Sequence, residues 1–135
     1  MKRDVSVLLL YNDKGEILFQ RRSHTAKRYP GVWGFFGGGV ERDETPESAM
    51  RREIQEELNY ISKDAALVLS YEFTNNMGES GMKYIFVEKY DGSPLTQQEG
   101  EALGWFLPED TSSLETIPHD GKALAAAAAY IREHL

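Results

Sequence analysis

The sequence predicts a fold of the α/β or α+β class, a mixed sheet clasped between two helices. Three observations carry that expectation: β-rich runs open the chain and return after its middle, an amphipathic helical stretch separates them, and an alanine-rich stretch closes it. Val5 to Tyr11 is rich in β-formers, and Asn12, Asp13, Lys14 and Gly15 supply a turn before a second extended run, Glu16 to Arg22, so the two form a hairpin. Ser23 to Gly31 is polar, ends in Pro-Gly and reads as a loop. Trp33 to Phe36 is a short aromatic strand, and Gly37, Gly38 and Gly39 form a glycine loop able to approach a ligand closely. After the helix, Leu67 to Phe73 and Met82 to Tyr90 are strands joined by a turn around Asn75 to Gly81. A loop carries Glu99 and Glu101 to a strand at Trp105 to Leu107, which Pro108 ends. The last helix spans His119 to Glu133, and its Ala125 to Ala129 run combines high helix propensity with a thin profile for packing on a sheet.

The amphipathic stretch, Pro46 to Leu58, has a well-marked start. Thr45 is placed to cap the free amides, Pro46 suits the first helical position, and Glu47 favours the positive end of the helix dipole. Met50, Ile54 and Leu58 recur at i, i+4 and i+8 as an apolar stripe. Asn59 stands where a left-handed residue would close the helix, a conformation Asn tolerates better than most. With about 100° per residue, Glu53, Glu56 and Glu57 project from one side and repel one another unless a cation intervenes.

Composition bounds the function. The 135 residues fit one domain, 1–135, with room for a core and one site. A net charge of −7 without a long basic run argues against a nucleic-acid duplex as partner and agrees with a phosphate substrate bridged by metal. The absence of cysteine excludes disulfide and thiol chemistry and agrees with a cytoplasmic location. The apolar part of MKRDVSVLLLY is short and interrupted by Asp4 and Ser6, unlike a secretion signal, and no run approaches membrane-spanning length. His24, His119 and His134 lack a ligand spacing, which disfavours zinc. Hard cations, Mg²⁺ or Mn²⁺, suit an oxygen-only donor set.

Taken alone, REIQEEL is best read as a solvated acidic face. The residues upstream reverse that reading. Gly38, Glu44, Arg52, Glu53, Glu56 and Glu57 stand at fixed spacings whose chance occurrence is on the order of one in ten million per starting position. Gly38 to Tyr60 resembles the Nudix hydrolase signature, G-x5-E-x7-R-E-U-x-E-E-x-G-U with U bulky and apolar, in the manner of MutT-like members. Asn59 replaces the signature's second glycine, and Tyr60 fills its last apolar position.

The resemblance implies an α/β/α sandwich and Mg²⁺-dependent hydrolysis of a pyrophosphate bond in a nucleoside diphosphate linked to another group. It assigns Glu53, Glu56 and Glu57 to the metal, with a carbonyl of Gly37 or Gly38 as a further ligand, and Arg52 to anchoring a neighbouring glutamate by a bidentate ion pair, an i, i+4 pair with Glu56 being the competing reading. Glu44 is either a support for this set or a carboxylate near the helix start. Glu53 is the expected base, with Glu99 the alternative; Glu99 resembles a loop glutamate that many members bring to the metal, and Glu101 competes for that place. Arg21 and Arg22 point to opposite faces, so at most one holds phosphate. Phe35 stacks on a base or packs in the core, Phe36 faces away from Trp33 and Phe35, and Tyr84, Phe86, His119 and Asp120 are further candidates for base contact. The expected substrate is a nucleoside triphosphate, for instance an oxidised purine deoxynucleotide. ADP-ribose, nucleotide sugars and dinucleoside polyphosphates are alternatives, as is a module that senses a nucleotide without cleaving it. Small members of the family often pair, so a homodimer is compatible.

Overall fold

A computed structural model describes residues 1–135. One seven-stranded mixed sheet lies between two helices. Strand β1 (Val5–Tyr11) runs through its middle, parallel to β6 (Ser80–Lys89) and antiparallel to β4 (Phe36–Gly39), meeting β2 (Ile17–Arg21) at Tyr11 and Ile17. Strand β2 pairs antiparallel with β3 (Trp33–Gly34) and β7 (Ala102–Phe106), and β5 (Ala66–Thr74) pairs antiparallel with β6. The expected hairpin is closed by Asn12, whose Oδ1 accepts from the Lys14 and Glu16 amides at 3.0 Å.

Alternation along β1 divides the core. Val7, Leu9 and Tyr11 pack with Ala123, Ala127 and Ile131 of α2 (Asp120–His134); Leu8 and Leu10 pack with Met50, Ile54 and Leu58 of α1 (Pro46–Leu58). Those three α1 side chains are fully buried, and each contributes about 1.5–3 kcal/mol of apolar transfer. The alanines let α2 approach the other face closely.

The bounds of α1 follow from its ends. Thr45 Oγ1 accepts from the Ser48 amide at 3.1 Å while Ser48 Oγ accepts from the Thr45 amide at 3.0 Å. Asn59, at φ 55° and ψ 34°, terminates the helix in the left-handed conformation, its amide donating to the Gln55 carbonyl at 2.9 Å.

Two expectations are corrected. The aromatic strand Trp33 to Phe36 is two strands, because the chain crosses at Phe35 from the edge of β2 to the edge of β1, and the three glycines belong to β4 instead of a loop. At Gly37, with φ +150°, a Cβ would lie 2.0 Å from the Ser6 carbonyl oxygen, so glycine is required for this pairing. The final strand starts before Trp105 and ends at Phe106, since the Glu101 amide donates to the Arg21 carbonyl at 2.8 Å and the ladder continues from there. No helix is long and apolar enough to cross a membrane.

Candidate active site

The close approach of α1 to β4 creates an acidic cleft. A Cβ on Gly38 would lie 2.7 Å from the Glu53 carboxyl carbon, so the glycine strand leaves space that this carboxylate enters. Glu53, Glu57 and Glu99 line the cleft together with Gln20, Gly37, Gly38 and Arg22. Glu57 is 3 % exposed; its Oε1 accepts from the Gly37 amide at 2.8 Å and its Oε2 from Gln20 Nε2 at 3.0 Å. Gln20 is fixed in turn by donating to the Phe35 carbonyl at 3.2 Å.

Arg52 organises the outer wall. Its Nε and Nη2 donate to the two carboxylate oxygens of Glu44 at 2.7 and 2.9 Å, Nη1 donates to Glu53 at 2.8 Å, and Nη2 also donates to the Gly39 carbonyl at 3.1 Å. The bidentate partner is thus Glu44, eight residues earlier, and Glu44 braces the arginine that holds Glu53. The competing contact with Glu56 is present as well, at 3.5 Å.

Glu53 and Glu57 enter the cleft while Glu56 stays exposed, and no three acidic or histidine side chains converge on a single metal-binding point. Like charges are relieved by separate partners: Glu53 turns to Arg52, Glu57 to Gln20 and Gly37, and the Glu56 side chain is 55 % exposed. Gly37 contacts this set through its amide, which holds Glu57.

Beyond the acidic cleft, and sharing Arg3, Arg22, Arg28, Gly37 and Gly38 with it, opens an aromatic pocket of about 110 Å³. Phe35, Tyr29, Phe73 and His119 line it, and at its floor Lys83 Nζ donates to Asp120 Oδ1 at 2.5 Å, both side chains nearly inaccessible. The site is therefore continuous, acidic at one end, cationic in the middle and aromatic at the other.

A model of the NUDIX domain matches residues 1–127. The chain belongs to the Nudix hydrolase family. It is 32% identical to the 8-oxo-dGTP diphosphatase of Escherichia coli over 77% of this chain and 79% of that protein, and 30% identical to the CTP pyrophosphohydrolase of the same organism over 93% and 92%. The crystal structure of a MutT NUDIX hydrolase from Burkholderia pseudomallei superposes with a TM-score of 0.79 at 27% identity, covering 93% of this chain and 98% of that one. The chain is accordingly a Nudix pyrophosphohydrolase, an enzyme acting on phosphorus anhydrides.

Within this Nudix site the electrostatics are uneven. Burial pushes the Glu57 carboxyl up to about 8, with the Gln20 hydrogen bond opposing and Glu53 adding to the rise. Burial also raises Glu53, against the pull of Arg52. The Arg52 hydrogen bonds hold Glu44 down at about 2. Such a set, oxygen donors with one carboxylate buried and electrically crowded, fits the hard divalent cations that Nudix hydrolases generally use.

Several candidates find different places. Glu101 is spent on His24, accepting from its backbone amide at 2.8 Å and contacting its ring, whereas Glu99 faces the cleft. Gln20 and Arg22 share the cleft side of their strand, so Arg21 is turned out and donates to the Gly31 carbonyl at 3.3 Å; as a substrate contact it is corrected. Phe35 is buried against Phe19, with ring centroids 4.9 Å apart, and still lines the aromatic pocket, while Phe36 lies on the α1 side as expected. Tyr84 and Phe86 pack on the α1 side and do not reach the pocket. Gln20, Arg3, Arg28 and Lys83 escaped sequence reasoning. Only Lys83 left a signal there, a lone cation within the apolar strand around MKYIFV.

Proposed function

We propose that this enzyme hydrolyses nucleoside triphosphates at a pyrophosphate bond in the presence of Mg²⁺, releasing the nucleoside monophosphate and pyrophosphate. The observation that carries the reading is the continuity of the site: an aromatic pocket, arginines beyond it, and the carboxylates of Glu53, Glu57 and Glu99 at the far end. The 8-oxo-dGTP diphosphatase and CTP pyrophosphohydrolase relatives, both named for nucleotide triphosphates, support it.

Glu53, Glu56 and Glu57 would hold the cation, with Gly37 or Gly38 beside them. When bound, it would neutralise phosphate oxygens and make the attacking water easier to deprotonate. The chain's own residues do the remaining work. Arg52 and Glu44 orient Glu53; Gln20 and the Gly37 amide orient Glu57; Arg22 faces the phosphate path; Glu53 or Glu99 accepts the proton of the attacking water. Phe35 and Phe73 offer apolar surface to the base, with the Lys83–Asp120 pair beneath. Residues 1–135 act as a single domain in this reading, in the cytoplasm, with no nucleic-acid duplex as partner, as monomer or homodimer.

A panel of nucleoside triphosphates, ADP-ribose and nucleotide sugars at fixed Mg²⁺, with products identified, tests the reading. Pyrophosphate and monophosphate should dominate; preferential release of a sugar phosphate would overturn it.

A further inference from the structure

Three guanidinium groups, those of Arg3, Arg22 and Arg28, line the junction of the acidic cleft and the aromatic pocket. The groups repel one another: burial first, then the charge of Arg28, lowers Arg3, and burial lowers Arg22, with Glu57 opposing and Arg28 adding to the fall. Only Arg28 has a carboxylate partner, Glu79, which it engages through Nε at 2.7 Å and Nη2 at 3.1 Å. That two-point grip fixes the plane of the Arg28 guanidinium and leaves Nη1 uncommitted. Arg22 donates Nε to the Arg28 backbone carbonyl at 2.9 Å, which anchors the Arg22 side chain to the loop that carries Arg28.

Arg3 is the most telling member. Its Nε is buried without any hydrogen-bond partner, and its guanidinium lies on the glycine strand, where a Cβ at Gly39 would stand 2.7 Å from Nη1. The Arg3 guanidinium lines both the cleft and the pocket without a carboxylate partner, and an anion lying there would supply one.

We propose that Arg3 and Arg28, together with Arg22, form a cradle for the phosphate groups nearest the nucleoside, with Glu79 setting the orientation of Arg28. This rests on the reading that the base occupies the aromatic pocket and the scissile bond lies at the carboxylates. The fork geometry of guanidinium matches phosphate oxygens, and the three positive charges offset the repulsion that the carboxylate end imposes on an incoming polyanion.

Calorimetric titration with inorganic pyrophosphate in chelator, without any divalent metal, isolates the cradle from the metal end. Wild type should bind, with affinity falling as salt rises. Arg3→Gln and Arg28→Gln should each weaken binding about tenfold or more, Arg3→Lys and Arg28→Lys should recover part of the loss, and Arg42→Gln, which removes the same charge from an exposed site, should have no effect. In turnover assays the first two should raise KM far more than they lower kcat. Failure of wild type to bind, or variants that melt like wild type and bind pyrophosphate equally well, overturns the proposal. A chain that binds pyrophosphate through these arginines but hydrolyses no nucleotide leaves the cradle standing and removes the catalytic reading.

Discussion

Gln20 Nε2 donates to Glu57 Oε2 at 3.0 Å, joining β2 to the signature helix across 37 residues of sequence. The bond orients a carboxylate that the fold otherwise buries at an energetic disadvantage. Burial pushes Glu57 up to about 8 from an ordinary 4.5, so between these values the unfolded chain has released a proton that the folded chain retains. Glu57 therefore favours folding least at high pH: its contribution to stability declines as pH rises from about 4.5 through about 8. Melting temperatures in chelator should drop across that window, and Glu57→Gln should flatten the drop. A wild-type profile with the same slope as that of the variant contradicts the assignment.

The same substitution should damage function. Glu57→Gln and Glu53→Gln remove negative charge from the groups assigned to the cation and should each reduce kcat by roughly 10²–10³, the scale of losing one preorganised electrostatic group. Steady-state kinetics at saturating Mg²⁺ measure this, and a loss of less than about fivefold in both variants argues against their roles.

Arg52 and Glu44 support these carboxylates from outside. Arg52→Lys cannot reproduce the two-point contact with Glu44 while also reaching Glu53, so its apparent metal affinity should fall about 10- to 100-fold, with activity partly recovered at high Mg²⁺. An unchanged dependence on Mg²⁺ would show the pair to be merely structural.

At Gly37, alanine places a Cβ against the Ser6 carbonyl in a backbone conformation that L side chains rarely adopt. Gly37→Ala should destabilise the fold by about 1–3 kcal/mol or more in urea titration, and lose activity with it. Stability within about 0.5 kcal/mol of wild type would mean that β4 can move away from β1.

Asn59→Gly makes the opposite case. Asn59 already occupies the left-handed region, so glycine relieves strain of at most about 1 kcal/mol and adds freedom to the unfolded chain that offsets part of the gain. Activity should stay near normal, and a pronounced loss of turnover would give this side chain a role beyond ending the helix.

Local chemistry explains which parts of the molecule could be read in advance. The bounds of α1 were legible because Thr45, Pro46 and Asn59 each carry a short-range signal and Met50, Ile54 and Leu58 repeat at helical spacing. The crossing at Phe35 was not, since Trp33 to Gly39 has no turn residue that distinguishes one continuous strand from two pairing with different neighbours. The carboxylates could be found from their spacing, but their separate partners could not: Gln20, Glu44 and the Gly37 amide reach them through tertiary packing. Arg3 and Arg28 lie outside the signature, and the pairing of β1 with β4 and the fold of the loop after β2 bring them to the cleft.

The central claim, that the cleft carboxylates grip a divalent cation, is tested most directly by titrating the protein with Mn²⁺ and following loss of the free-ion electron paramagnetic resonance signal, with and without a non-hydrolysable nucleoside triphosphate. The account predicts binding by wild type that tightens with nucleotide and is lost in a Glu53→Gln, Glu57→Gln double variant. Absence of binding by wild type under both conditions, or undiminished binding by the folded double variant, would contradict it.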